Sequence, residues 1–272
     1  MDRDDILVRG HIFDYLDEIQ GEMEKRDLVA LFIDYDGTLV HFKDRPDEAL
    51  PSDEIKNTLA SLVRNSKFEV VIISGRKMED LKDMLSIDGL SLSGLHGMQI
   101  LFSNGESFTW NGWTKSKSLL GSIWDKMVHD FKNIDGIYLE NKKMSLAFHY
   151  RLLPRGMVRD VCREFEDMVK ENDRKGRLEV IHGAEVLEVR PMGWDKGRAV
   201  DIFLKHISAK EKDILPLYIG DDATDEDAFI QLKGEGITVI VSGDREVSTS
   251  AQFRIKNPDE VIELLRWFLK NV

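Results

Sequence analysis

The chain has 272 residues, 42% of them hydrophobic and 32% charged, with a formal net charge of −12 and a pI of about 5.1. That balance describes a soluble globular protein of one large or two modest domains, and its negative field opposes nucleic acid and anionic membranes as partners. The single cysteine, Cys162, excludes an internal disulfide; no apolar run approaches the roughly 18 residues of a membrane span, the acidic start Met1-Asp2-Arg3-Asp4-Asp5 lacks a signal-peptide apolar region, and a cytoplasmic protein is expected.

Taken in chain order, residues 6–26 predict an amphipathic helix with Ile6, Phe13, Leu16, Ile19 and Met23 on one side. Leu28-Val29-Ala30-Leu31-Phe32 reads as a buried parallel strand that runs into Ile33-Asp34-Tyr35-Asp36-Gly37-Thr38-Leu39. Pro51 opens a helix through about Asn65. A second buried strand, Phe68–Ile73, ends at Ser74-Gly75-Arg76, and a helix follows over 78–85. Leu90–Gly97 predicts a short strand and a glycine-bounded loop. Ile100–Phe102 and Ser107–Trp110 flank Asn104-Gly105, a strong hairpin signal.

Helices near 117–131 and 155–172 are each followed by two strands, near 137–140 and 144–150, then near 178–181 and 186–190. Helix–strand–strand therefore occurs twice. From Gly193 the strand–helix alternation returns. Lys196 opens an amphipathic run (Ala199, Ile202, Phe203, Ile207), and Ile214–Ile219 leads into Gly220-Asp221-Asp222-Ala223-Thr224-Asp225-Glu226-Asp227. Further strands fall near 237–241 and 253–255. Asn257-Pro258-Asp259-Glu260 begins the last helix with an N-cap, a proline at the first helical position and a capping-box glutamate.

The expected fold is α/β, a doubly wound, Rossmann-like parallel-sheet core made from residues 1–97 and 192–272, with 1–27 as an N-terminal helical extension. Residues 98–191 are expected to form an inserted α+β domain. Ligands of such sheets bind beyond the carboxyl ends of the strands, where the acids of this chain cluster. Side chains two apart on a strand share a face, so Asp34 and Asp36 are expected to crowd one small space. Like charges that close need a cation or a shared proton. A metal with a nucleophile fits them; an acidic strand-end loop is the other reading of these residues alone.

Asp34-Tyr35-Asp36-Gly37-Thr38-Leu39, Ser74-Gly75-Arg76, Lys196 in Gly193-Trp194-Asp195-Lys196-Gly197, and Gly220–Asp227 together resemble the four signature elements of the haloacid-dehalogenase superfamily, in order. With Gly94-Leu95-His96-Gly97 and the full Thr224-Asp225-Glu226-Asp227, the chain is similar to the trehalose-6-phosphate phosphatase family over about residues 28–270. Within the insert, Glu140–Arg151 and Val186–Pro191 are similar to that family's cap strands.

The resemblance implies a Mg²⁺-dependent phosphatase with Asp34 as nucleophile and Asp36 as general acid and then base, assisted by Ser74 and Lys196. It implies metal ligation by Asp34, Asp221 and the carbonyl of Asp36, with Asp222 and Asp225 behind them. It implies substrate contacts from Thr38, Gly75, Arg76 and His96 in the core and from Glu140, Lys142, Arg151 and Glu188 in a cap. The expected ligand is a small sugar phosphate, trehalose 6-phosphate. A trehalose-6-phosphate synthase enters as a partner by family analogy only. Another sugar or glycosyl phosphate (sucrose 6-phosphate, a glycosyl-glycerate phosphate) is the nearest alternative. A phosphomutase and a regulatory binding module are more distant ones.

Overall fold

A computed structural model describes residues 8–208, 213–243 and 247–272. In chain order the first half contains α1 (Leu16–Glu24), β1 (Leu28–Asp34), α2 (Asp53–Arg64), β2 (Phe68–Ile73), α3 (Met78–Leu85), β3 (Ser91–Gly94), β4 (Gln99–Leu101) and β5 (Ser107–Thr109). Then come α4 (Lys117–Phe131), β6 (Tyr138–Asn141), β7 (Leu146–His149), α5 (Arg155–Asn172), β8 (Leu178–Gly183) and β9 (Val186–Pro191). The chain ends with α6 (Lys196–Ser208), β10 (Ile214–Gly220), α7 (Glu226–Gln231), β11 (Ile237–Val241), β12 (Phe253–Ile255) and α8 (Pro258–Asn271).

The large sheet has the order β12-β11-β10-β1-β2-β3-β4-β5. Its strands are parallel from β12 to β3, and β4 runs antiparallel to β3. Strand parity explains why β1 is apolar throughout. Val29, Leu31, Ile33 and Tyr35 enter one cluster with Leu59 of α2, Leu81 of α3 and Leu265 of α8. Leu28, Ala30 and Phe32 enter the opposite cluster with Phe203 of α6 and Phe229 of α7. Both faces are covered, so no alternation with polar residues is possible. Continued past Phe32, the same parity sends Asp34 towards α6 and Tyr35 towards α2 and α3.

The residues Thr109–Trp194 form a separate compact unit. Its antiparallel sheet is ordered β6-β7-β9-β8. One face is packed by α4 and α5 through Ile123, Phe131, Phe165, Phe148, Leu187 and Val189. The hairpin expected to open the insert at residue 98 lies elsewhere: β4 pairs with β3, so β4 and β5 extend the large sheet and the unit boundary falls at Thr109. The turn itself forms as Asn104-Gly105 predicts, with Gly105 at φ 86° and its N–H donating to Phe102 O at 2.9 Å. Hairpin chemistry specifies a turn but not the sheet it joins.

The N-terminal segment also differs from one long helix. Ile6 lies outside the described residues; Ile12–Tyr15 is a 3₁₀ turn ahead of α1. Just before it, Arg9 N–H donates to Gln252 O at 2.8 Å and Arg254 N–H to Gly10 O at 2.9 Å, closing the open edge at β12. Ile12, Ile19 and Met23 are buried in the core. Met23→Ala, at a fully buried position, is expected to lower stability by about 2–4 kcal/mol in urea unfolding while leaving activity per folded molecule unchanged. A loss below about 0.5 kcal/mol would mean that this segment is an appendage.

Candidate active site

β1 is the switch point of the large sheet, since the chain passes from it to β2 on one side and returns through β10 on the other. Ile33 pairs with Ile219, and Asp34 with Ile73. The register therefore brings Asp34, Ser74 and the Gly220-Asp221 turn to one end of the sheet. Open α/β sheets bind ligands in such a crevice because the flanking loops there part to opposite faces.

Lys196 is the hub. It is 2% exposed, and its Nζ donates to Asp34 Oδ1 and to Asp225 Oδ1, both at 2.7 Å. Burial alone would lower its pKa, but Asp225 and Asp34 outweigh that and hold it well above the usual lysine value. Asp225, fully buried, also accepts from Tyr218 Oη at 2.7 Å and from the N–H groups of Asp221 and Asp222 at 3.0 and 3.1 Å. With its oxygens taken by four donors, Asp225 anchors Lys196 and the 220–222 turn.

Asp34 is pushed well above the usual carboxyl range by burial, against the pull of Lys196 and with the help of Asp225 and Asp222. Asp221 is raised for the same reason: burial first, then Asp34, Asp222 and Asp225. Asp222 goes the other way. Burial opposes its charge, but Lys196 and two hydrogen bonds from Thr224, at 2.8 and 2.6 Å, hold it below the ordinary range. Four carboxylates thus surround one ammonium, two of them in direct contact with it. Oxygens of Asp34, Asp221 and Asp225 lie within 4.8 Å of one another. An all-oxygen cradle with an excess of negative charge fits a hard divalent cation.

Asp36 departs from the sequence expectation. It is not a member of that carboxylate group. Both its oxygens accept from Arg76, Oδ2 from Nε at 2.7 Å and Oδ1 from Nη2 at 2.6 Å. The period-two argument fails because β1 ends at Asp34; beyond it Asp36 lies in a turn whose Gly37 N–H donates to Val40 O at 2.8 Å. Gly37 has φ 91°, and a Cβ there would lie 2.3 Å from Asp221 Oδ2, so only glycine lets the two loops approach.

The other core residues gather at the same end. The Thr38 hydroxyl donates to Asp221 Oδ1 at 3.1 Å. Ser74 is buried, and its Oγ accepts from Arg76 N–H at 3.2 Å. The N–H of His96 donates to Ser74 O at 2.9 Å and that of Leu95 to Arg76 O at 2.8 Å, stitching two loops together. The His96 ring leaves no space beside Gly75, where a Cβ would lie 2.6 Å from Nε2.

In the inserted unit, Glu140, Ala147, Glu188 and Ile181 form one row across β6, β7, β9 and β8. This row is on the sheet face opposite to the helices. Lys142 Nζ donates to Glu188 Oε2 at 2.8 Å, with both side chains buried. Glu140 Oε2 lies 3.5 Å from His149 Nε2. Arg151 stands apart from the row, bound to Glu185 at 3.0 Å and to the Ala184 carbonyl at 2.9 Å. Tyr218 and Thr224 were missed by sequence reasoning. A tyrosine inside an otherwise aliphatic strand just before an acidic turn is the signal for Tyr218, because its buried hydroxyl needs a partner.

Asp225→Ala is expected to destabilise the fold by about 3–5 kcal/mol, since it strips a buried ammonium and three further donors of their acceptor. Urea unfolding of that variant tests this. A loss under about 1 kcal/mol would show that Asp225 does not anchor the hub.

A family model described as trehalose-phosphatase matches residues 32–259. The probable trehalose-phosphate phosphatase H of Arabidopsis thaliana is 32% identical over 268 residues, spanning 93% of this chain and 75% of the relative. Among solved structures, the C-terminal domain of C. albicans trehalose-6-phosphate phosphatase superposes with a TM-score of 0.84 at 24% identity, covering 94% of this chain and 97% of that one. A haloacid dehalogenase-like hydrolase from Bacteroides thetaiotaomicron shares the fold at 16% identity, with a TM-score of 0.61 and coverage of 89% and 99%. The turn over residues 34–39, the buried lysine hub and the acidic turn after β10 all lie within the matched span, and the chain belongs to the trehalose-phosphatase family.

Proposed function

We propose that this protein hydrolyses trehalose 6-phosphate to trehalose and inorganic phosphate through an aspartyl-phosphate on Asp34. The observation that carries the reading is the hub: a buried carboxylate at the switch point, 2.7 Å from a buried ammonium, in a chain of this family. A carboxylate attacking phosphorus splits one hard displacement into two easier ones. Asp34 Oδ attacks phosphorus, the bond to the sugar oxygen breaks, and Asp36 gives that oxygen a proton. Water then attacks phosphorus, gives a proton to Asp36, and the bond to Asp34 breaks. Lys196 and Ser74 stabilise the charge that builds on the phosphoryl oxygens.

Mg²⁺ is the metal this reading calls for. Asp34 and Asp221 would hold it together with the main-chain carbonyl of Asp36. When bound it supplies positive charge to the carboxylates and to the phosphoryl group. Asp222 and Asp225 orient the turn and the lysine behind them. Glu140, Lys142 and Glu188 are assigned to the sugar hydroxyls, which carboxylates and ammonium groups bind by charge-assisted hydrogen bonds. A different sugar phosphate remains the nearest alternative substrate. A phosphate-release screen across sugar phosphates tests the choice: trehalose 6-phosphate should give the highest kcat/KM, and faster release from another sugar phosphate would replace it.

Three outcomes are expected. Asp34→Asn, nearly isosteric but a poor nucleophile, should abolish phosphate release in a folded protein; near-normal release by a pure preparation would sink the covalent route. EDTA should abolish activity and added Mg²⁺ restore it, because the clustered carboxylates otherwise repel one another and the phosphate; full activity after metal removal excludes this. Alanine at Glu140, Lys142 or Glu188 should each lower kcat/KM for trehalose 6-phosphate by about ten- to a hundred-fold. The same variants should change little on a small aryl phosphate, and a parallel fall on both substrates would make these residues structural.

A further inference from the structure

The sequence assigns Arg76 to the substrate, yet in the structure its guanidinium is committed elsewhere. Nε and Nη2 form the parallel fork on Asp36 at 2.7 and 2.6 Å. Nη1 points to Met84 Sδ at 3.5 Å, and the guanidinium carbon lies 4.9 Å from the centroid of the Tyr35 ring. Tyr35 is itself anchored, its Oη donating to Ala49 O at 3.0 Å. The Arg76 side chain is 11% exposed and that of Asp36 32%. A fork of this kind fixes the plane of a carboxylate as well as its position. The ring and the sulfur fix the fork in turn.

A carboxylate offers about four lone-pair sites. Arg76 occupies two of them, and the exposed part of Asp36 leaves the others for water. We infer that Arg76 is a positioning residue for the second half of the reaction: it holds the Asp36 carboxylate in the orientation that takes a proton from the attacking water. The inference rests on the aspartyl-phosphate reading above. In that step the water oxygen bonds to phosphorus, its proton passes to Asp36 Oδ, the bond from phosphorus to Asp34 breaks with its electron pair returning to Asp34, and inorganic phosphate leaves. 4-Nitrophenolate leaves without needing a proton, so with that substrate loss of the fork should slow hydrolysis of the phosphoenzyme and spare its formation.

The test uses the full chain with Mg²⁺ and 4-nitrophenyl phosphate, followed by rapid mixing and acid quench. For Arg76→Met we expect a nitrophenolate burst near one equivalent per enzyme, then a steady rate reduced at least ten-fold. KM should fall in step with kcat, leaving kcat/KM within about three-fold of wild type, because kcat/KM reports only the steps up to departure of the leaving group. Acid-stable phosphoenzyme should accumulate. In an Asp36→Asn background, Arg76→Met should cost nothing further, since it acts only through Asp36. If Arg76→Met does not fold, Arg76→Lys, which keeps the charge but not the fork, should show the same split at several-fold. A fall in kcat/KM equal to the fall in kcat, or an undiminished effect in the Asp36→Asn background, overturns the inference and returns Arg76 to the substrate or to the core. Absence of acid-stable phosphoenzyme in every protein, Asp36→Asn included, overturns the covalent reading itself and the inference with it.

Discussion

The ammonium of Lys196 is the interaction on which the site depends. It carries charge into a place that is 2% exposed, where desolvation costs several kcal/mol for an unpaired ion. Asp34 and Asp225 offset that cost, each at 2.7 Å. Asp225 in turn could not stay charged in full burial on the strength of one lysine. Tyr218 and the N–H groups of Asp221 and Asp222 complete its acceptor sites. One buried carboxylate therefore ties α6, β10 and the acidic turn together. Asp34 accepts from Lys196, and among the described residues no comparable set of donors surrounds it.

The same balance sets how an acidic protein can hold an anion. A net charge of −12 repels a phosphate at a distance, and burial, followed by the neighbouring carboxylates, raises the pKa of Asp34 and Asp221. Lys196 is already shared by two carboxylates, and Arg76 is matched by Asp36. Both cations are thus already matched by carboxylates, and the group of Asp34, Asp221 and Asp225 could hold a further, metal cation.

Much of this placement was legible in the sequence because each of these segments stands at the end of a buried strand or the start of a helix. Apolar runs locate such places without knowledge of tertiary contacts, and the carboxylates, Ser74 and Lys196 fall at them. What could not be read depends on partners distant in sequence. Asn104-Gly105 announces a turn, but nothing local says that β4 pairs with β3. The helical pattern set Ile19 and Met23 on an apolar side, but it did not show that the segment just before them closes the edge at β12. The resemblance placed Arg76 among the substrate contacts, and its pairing with Asp36, 40 residues away, could not be read locally. The crowding expected between Asp34 and Asp36 assumed that strand geometry persisted for two residues beyond the point where β1 ends.

That last miss explains how two aspartates two positions apart meet different partners. Parity on β1 sends Asp34 to the face of α6 and Tyr35 to the opposite core. After Asp34 the backbone leaves the strand, and Gly37 turns it at φ 91°. Asp36 is released from the pleat and meets Arg76, which rests on the same Tyr35 ring. The tyrosine between the two acids thus separates their environments: one acid meets a buried lysine, the other a partly exposed arginine fork. Two strongly interacting carboxylates in one pocket would titrate as a coupled pair, with neither pKa belonging to one residue alone. Held by different cations on different elements, Asp34 against Lys196 and Asp36 against Arg76, the two carboxylates keep separate partners despite their closeness in sequence.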